Sequence, residues 1–153
     1  MQQPKVLIVG ATGSVGTAAI QIAQHHGTDV TAMCSSRGLE LVRSLGVSSV
    51  ILYDKEDFTK RGERFDIIFD AVGVTTNRAC HRLLAKNGAY VSVSSGYASE
   101  SIHQLNLLKE LFENGALKAT IDKTYPMDAI QDAHRYVDTG RKKGNVVLKI
   151  GEQ

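Results

Sequence analysis

Read from its N-terminus, the chain alternates short, continuously apolar runs with longer stretches whose apolar positions recur every three or four residues. Val6–Val9 is apolar throughout, and Ser14–His26 follows with a helical pattern. The same alternation predicts strands over Val30–Met33, Ser49–Leu52, Phe65–Phe69 and Ala89–Ser94. It predicts helices over Arg37–Leu45, ending at Gly46, over Thr75–Ala85, stopped by Asn87-Gly88, and over Leu105–Glu113, stopped by Asn114-Gly115. Further on, Ala119–Tyr125 reads as extended, Pro126 opens a helix over Met127–Asp138, and Asn145–Ile150 closes as a strand.

Strands joined through helices need crossover connections, and these give a parallel sheet. Strands that are apolar along their whole length are buried on both faces, under two layers of helices. The predicted fold is therefore α/β with a doubly wound parallel sheet. At 153 residues the chain suits a single domain with a core of its own, and no repeat, low-complexity tract or Pro/Gly/Ser linker divides it.

The connection after the first strand is "GATGSVG", with Gly10, Gly13 and Gly16 spaced by threes. Between a strand and a helix, the first such glycine makes a sharp turn. The second leaves room for a pyrophosphate, and the third lets the helix pack closely on the sheet. The N–H groups that open the helix then face the anion. The other reading of a lone triplet is a plain tight turn. Here its βαβ context favours a dinucleotide, and the chain reads as a Rossmann NAD(P)-binding domain over residues 1–153.

An Asp or Glu at the tip of the second strand would bind the ribose hydroxyls and favour NAD. The tip is instead "AMCSSRG", and Asp29 lies at the wrong end of that strand. Ser35, Ser36 and Arg37 offer hydroxyls and a cation, which suit a 2′-phosphate. NADP(H) is thus expected in preference to NAD(H). The plainer reading, in which Ser35 or Ser36 caps the next helix and Arg37 faces water, is compatible with it.

Composition excludes several classes. A net charge of +2 is too weak to argue for nucleic acid, and Arg141-Lys142-Lys143, the one basic cluster, reads as a solvated loop or a small-anion contact. Two cysteines, Cys34 and Cys80, make no disulfide framework and no Cys-rich zinc lobe, and they fit a reducing, cytoplasmic setting. No apolar run approaches the length of a membrane span, and no secretory leader is evident. No metal site is expected: His25-His26 end a helix, His81 follows Cys80 directly, and His103 and His134 are isolated. No Ser lies in a G-x-S-x-G elbow either.

Four further segments occur in order: "LGVSSVILYDKEDF", "FDIIFDAVG", "LLAKNGAYVSVSS" and "IDKTYPMDAIQDAHRYVDTGRKKGNVVLKI". With the glycine loop they resemble the cofactor-binding domain of the medium-chain dehydrogenase/reductase superfamily, in its zinc-independent, quinone oxidoreductase-like branch. The likeness covers nearly the whole chain. It implies that Thr12, Gly13, Ser14 and Val15 meet the pyrophosphate, and that Ser35, Arg37 and Tyr53 surround the adenosine 2′-phosphate. It also implies that Ala71, Val72 and Gly73, with Val93, Ser94 and Ser95, line the nicotinamide ribose and ring, and that Asn145 returns near the cofactor. Tyr53 as a cap on the core edge, Asp70 as the organiser of a turn and Asn145 as a turn residue remain alternatives.

In that superfamily a mostly β, GroES-like lobe precedes this domain and forms the other wall of the active cleft. Here only Met1–Pro4 precede the first strand, so that lobe is expected to be absent. The segment between "VSVSSG" and "LNLLKELFENG" is short, where the superfamily has a strand used for dimer contacts. The complete enzyme would pass a hydride to a quinone, enone or carbonyl acceptor. No catalytic acid or base is nominated, and the acceptor is not readable.

A homodimer and a partner chain supplying the second wall are both open. So is a non-catalytic module that binds or senses NADPH. The loop also resembles that of extended short-chain dehydrogenases, which pair a Tyr with a Lys four residues on. Tyr53, Tyr90, Tyr97, Tyr125 and Tyr136 are followed at that spacing by Asp57, Ser94, Ser101, Ala129 and Gly140, so only an atypical relative would fit.

Overall fold

The computed structural model describes residues 3–96 and 100–151; Tyr97, one of the tyrosines weighed above, lies outside them. Five strands form one parallel sheet: β1 (Lys5–Val9), β2 (Asp29–Cys34), β3 (Ser49–Leu52), β4 (Phe65–Asp70) and β5 (Leu84–Ser92). Their order is β3-β2-β1-β4-β5, so the chain winds one way from β1 to β3 and the other way from β4 to β5. Helices α1 (Ser14–His25), α2 (Leu39–Ser44) and α3 (Asn77–Cys80) make the crossovers.

The alternation of side chains along a strand explains the continuous apolar runs. Val6 and Ile8 of β1 pack with Ile20 of α1 and Val42 of α2 on one face. Leu7 and Val9 pack with Phe65, Ile68, Cys80 and Leu83 on the other. The first face is covered only as far as α1 reaches. Beyond it Ile67 and Val91, in register with Val6 and next to Phe69, stay exposed.

The expected helix over Thr75–Ala85 is shorter in the structure. Thr76 caps it, accepting from the Ala79 N–H at 3.2 Å, and it passes at His81 into a 3-10 turn that ends at Leu83. Leu84 already pairs with Phe65, and the chain loops out before Ala89 pairs with Ile67. Asn87 (φ +69°) and Gly88 therefore shape an irregularity inside β5 and do not terminate a helix. β5 ends at Ser92, and Val93–Ser95 form a 3-10 turn.

The helix α4 (Ile102–Glu113) leads to β6 (Ile121–Pro126), α5 (Ile130–Asp138) and β7 (Asn145–Lys149). β6 and β7 pair with each other in parallel and do not extend the five-stranded sheet. Among the described residues, contacts at Gln21 and at the glycine loop fasten this unit to the main body. The Gln21 amide of α1 donates to the Lys118 carbonyl (3.0 Å) and accepts from its N–H (2.9 Å). The Gly144 N–H donates to the Thr12 carbonyl (2.7 Å), where Gly13 and Gly144 form a bridge. Among the described residues no helix is long and apolar enough to cross a membrane.

Because Leu7 is fully buried on the face with Phe65 and Leu83, Leu7→Ala should cost about 2–5 kcal/mol in urea unfolding. Val91→Thr, on the uncovered face, should change stability by no more than about 0.5 kcal/mol. Equal effects at the two positions would contradict this layering.

Candidate functional site

The order β3-β2-β1-β4-β5 puts a topological switch at the carboxyl end of β1, where a doubly wound sheet opens a crevice. The glycine loop occupies that position. Gly10 has φ +73°, and a Cβ there would stand 2.7 Å from Val72 Cγ1. A Cβ on Gly16 would run into the Gly10 carbonyl oxygen and the Ala11 Cα (2.8 Å), so this glycine lets α1 settle on the loop.

Gly13 is different. Its backbone is extended (φ −77°, ψ 174°), a conformation open to any residue, and a Cβ would meet only the Gly10 carbonyl oxygen, at 3.6 Å. Neither backbone nor packing requires glycine at 13. Gly13 does line a cleft of about 640 Å³, together with Thr12, Tyr53, Val72 and Lys142. Beside it, the first turn of α1 has no side-chain cap and no acidic residue. The N–H groups of that turn have no partners within the helix. The arrangement is a cradle suited to an anion.

A strap, residues 140–144, crosses the cradle. Lys142 Nζ donates to Ser14 Oγ and to the Gly144 carbonyl, both at 2.9 Å, and Ser14 Oγ donates to the same carbonyl at 2.8 Å. An ammonium group thus stands at the positive end of the α1 dipole. This is unfavourable in isolation and would be relieved by an anion bound between them.

A second hollow of about 360 Å³ adjoins the first and shares Thr12, Tyr53 and Lys142 with it. Ser35 and Arg37 line it from the tip of β2, and Arg141, Lys142 and Lys143 line it from the strap. Ser35 stands at the start of the 3-10 turn Ser36–Gly38, but its hydroxyl makes no capping bond. Sequence reasoning found no acid at this tip. The structure brings one from the neighbouring strand: Asp54 lines the hollow and accepts from the Ser36 N–H at 2.8 Å. Asp54 follows Tyr53 directly, so pairing of β2 with β3 was the signal that would have placed it.

The loop after β4 forms the remaining wall. Asp70 is fully buried, and its carboxylate accepts from the N–H groups of Val72 (3.1 Å), Gly73 (2.8 Å) and Thr75 (2.7 Å). It also accepts from the Thr75 hydroxyl (2.8 Å) and the Tyr90 hydroxyl (3.2 Å). Burial by itself would raise the Asp70 pKa, but the Thr75 N–H and hydroxyl and the Val72 and Gly73 N–H groups outweigh it and hold the carboxyl below its usual range. Asp70 thus organises the turn on which Val72 and Thr75 line the cleft.

The other expected residues are placed unevenly. Ala71 is buried, its N–H bonded to the Val9 carbonyl at 3.0 Å. Gly73 abuts Ser94, whose Oγ a Cβ at 73 would strike. Ser92 Oγ accepts from the Ser94 N–H, which shapes the turn Val93–Ser95 near Gly73. Val15 is exposed on the first turn of α1. Asn145 lines neither hollow; its side chain donates to the Thr120 carbonyl at 3.0 Å and holds the start of β7. Phe58, Val74 and Thr75 line the larger cleft, although the sequence did not single them out.

Burial pushes the Cys34 and Cys80 thiols up, so neither is a ready thiolate. Among the described residues no three His, Cys, Asp or Glu side chains gather closely enough to hold a metal ion. Other hollows of similar size, about 580 and 600 Å³, lie around Arg64 and Ala85, away from the glycine loop.

The family described as zinc-binding dehydrogenase matches residues 14–146, and the chain belongs to it. Its fold and glycine loop are those of the nicotinamide-dinucleotide-binding half of medium-chain dehydrogenases and reductases. The chain is 34% identical to the 2-methylene-furan-3-one reductase of Solanum lycopersicum, in an alignment covering 94% of this chain and 39% of that protein. It is 30% identical to the chloroplastic NADPH-dependent alkenal/one oxidoreductase of Arabidopsis thaliana, over 94% of this chain and 40% of that one. The crystal structure of an NAD-dependent alcohol dehydrogenase superposes with a TM-score of 0.83 at 25% identity, over 98% of this chain and 52% of the other. The chain thus spans about 40% of the length of these two curated relatives.

Two substitutions separate packing from ligand space. Gly16→Ala should destabilise the fold by about 1–3 kcal/mol, because its Cβ meets backbone. Gly13→Ala should leave the melting temperature nearly unchanged and still weaken dinucleotide binding. A Gly13→Ala variant that bound normally would show that the loop is only a turn.

Asp70 makes a prediction about pH. Its lowered pKa adds stability that is present above the unfolded value of about 3.9 and is lost as pH falls through the folded value. Asp70→Asn should cost about 1–3 kcal/mol at pH 7, because the amide turns a donor toward N–H groups. The variant should also lose less stability than the wild type on acidification below about pH 4. Parallel pH profiles for the two proteins would refute this role.

Proposed function

We propose that this chain binds NADP(H) in preference to NAD(H) and forms the cofactor wall of an oxidoreductase acting on an enone, quinone or related carbonyl acceptor. The observation that carries this reading is Gly13, kept free of a side chain that nothing in the protein forbids, beside an uncapped helix N-terminus and an ammonium group. A pyrophosphate answers to all three. Thr12, Gly13 and Lys142 would hold it, while Tyr53, Ser35 and Arg37 would flank the adenosine ribose.

The relatives are named for both cofactors, one being NADPH-dependent and one NAD-dependent, so the choice rests on this chain's own residues. Four cations, Arg37, Arg141, Lys142 and Lys143, share the second hollow with one carboxylate, Asp54. A 2′-phosphate is attracted by that balance, with Arg37 offering paired donors. Asp54 alone would favour a ribose diol, the NAD outcome, and its carboxylate is already engaged by the Ser36 N–H.

When bound, the cofactor supplies the hydride, and this chain's residues bind and orient it. The two plant relatives are named for a methylene-furanone and for alkenals and alkenones, which supports an enone among the acceptors. At the nicotinamide end Val72 and Val74 are apolar and exposed, 48% and 72%. An open wall of this kind does not position an acceptor or exclude water, and positioning accounts for much of the rate in hydride transfer. The second wall would come from a partner or from further sequence. The same openness favours a second reading, a module that binds NADPH without turnover.

Isothermal titration should show NADPH binding more tightly than NADH. Arg37→Ala should weaken NADPH by about 1–3 kcal/mol and leave NADH nearly unchanged, and Asp54→Asn should widen the preference. Equal or reversed affinities in the wild type would overturn the assignment. The 153-residue chain alone should reduce quinones or enones near background at 340 nm; robust turnover by contaminant-free protein would show that it builds a complete active site.

A further inference from the structure

Besides the bridge of Gly144 to the glycine loop, the basic strap is tied down at two further places. One tie, Lys142 to Ser14, lies in the cleft. The other lies outside it, on the two-stranded unit. Asp122 of β6 accepts at Oδ2 from the Tyr136 hydroxyl of α5 (2.6 Å) and from the Lys143 backbone N–H (2.9 Å). The Tyr136 ring carries the Lys123 ammonium 3.8 Å from its centroid. Burial by itself would raise the Asp122 pKa, yet the Tyr136 hydroxyl and the Lys143 N–H outweigh it and hold the carboxyl below its usual range. Asp122 lines neither hollow. Through Tyr136 and Lys143 it joins β6, the end of α5 and the strap at one carboxylate oxygen.

We propose that Asp122 is a positioning residue for cofactor choice: it fixes the backbone of the strap so that Arg141, Lys142 and Lys143 face the ribose-phosphate hollow. The inference rests on the reading of that hollow as an NADP(H) site. The strap turns at Gly140 (φ +67°) and Gly144 (φ +68°), and its ends are held by Gly140 N–H to the Val137 carbonyl (3.0 Å) and Gly144 N–H to the Thr12 carbonyl (2.7 Å); between them, the Lys143 N–H is held by Asp122. Three cations on such a segment repel one another, and an external anchor sets where they stand.

The charge of Asp122 and its role as an anchor predict opposite signs. Removing a carboxylate from the neighbourhood of three cations makes the field more positive, and by charge alone NADPH would bind more tightly. Removing the anchor frees the strap, and NADPH binds more weakly. Asp122→Ala removes both charge and acceptor. Asp122→Asn removes the charge and keeps one oxygen to accept from Tyr136 and Lys143.

The test is isothermal titration of NADPH and NADH into the full 153-residue chain, with a melting curve for each variant. Asp122→Ala should weaken NADPH about tenfold, the worth of one charge-assisted contact, and change NADH by no more than about twofold. Asp122→Asn should keep the wild-type preference or raise it. Tyr136→Phe, which leaves the Lys143 bond in place, should lose a smaller part of the preference, and it decides the matter if Asp122→Ala does not fold. Tighter NADPH binding by Asp122→Ala, equal weakening of both cofactors, or an unchanged preference in both Asp122→Ala and Tyr136→Phe would overturn the proposal. A wild-type chain with no preference for NADPH would instead remove the reading of the hollow beneath it.

Discussion

The first turn of α1 presents backbone N–H groups at the carboxyl end of the sheet without a side-chain cap, and Lys142 stands beside them. Most features of this end of the molecule follow from that concentration of positive potential. Gly16 brings the helix down onto the Gly10–Ala11 backbone, so the N-terminus of α1 lies at the switch between β1 and β4. Gly13 keeps the approach open. The strap completes the enclosure by pairing Gly144 with the loop itself. A helix end that is partly enclosed and left without an acceptor is costly unless a ligand completes it.

The polar anchors around the cleft each join elements that are remote in sequence. Asp70 gathers donors from its own loop and from Tyr90 on the next strand. Gln21 holds the segment before β6 against α1, and Asp122 holds the strap against α5. The apolar layers fix where the strands end, and these anchors fix how the loops beyond them lie. Substitutions in the layers should therefore act on stability, whereas substitutions at the strap anchor should act on cofactor preference.

Much of this was legible in the sequence, and for physical reasons. Strands buried on both faces leave uninterrupted apolar runs, so β1 and β2 could be placed from the pattern of Val6–Val9 and Val30–Met33, and β3 and β4 were legible from their short apolar runs although β4 keeps Ile67 exposed. The glycine loop was legible because Gly10 and Gly16 answer to constraints within the strand-turn-helix itself. What escaped depended on pairing at a distance. The register of Leu84 with Phe65 shortened the helix expected over Thr75–Ala85. The pairing of β2 with β3 delivered Asp54 to a pocket that appeared free of acids. The strap was read as a solvated loop or a small-anion contact because nothing local shows that residues 140–144 cross residues 12–14. Asn145, given a place near the cofactor by the resemblance and read alternatively as a turn residue, donates from its side chain to the Thr120 carbonyl.

The central claim is that a dinucleotide lies along the two hollows with its phosphates at the cradle. The most direct test is a two-dimensional amide NMR titration of the chain with NADPH. The account predicts the largest shifts at Gly13, Ser14 and Val15, at Arg37 and Tyr53, and along Arg141–Lys143, with little change around Arg64 and Asn87. Shifts centred on Arg64 and Asn87, or none at residues 13–15 at saturating NADPH, would contradict it.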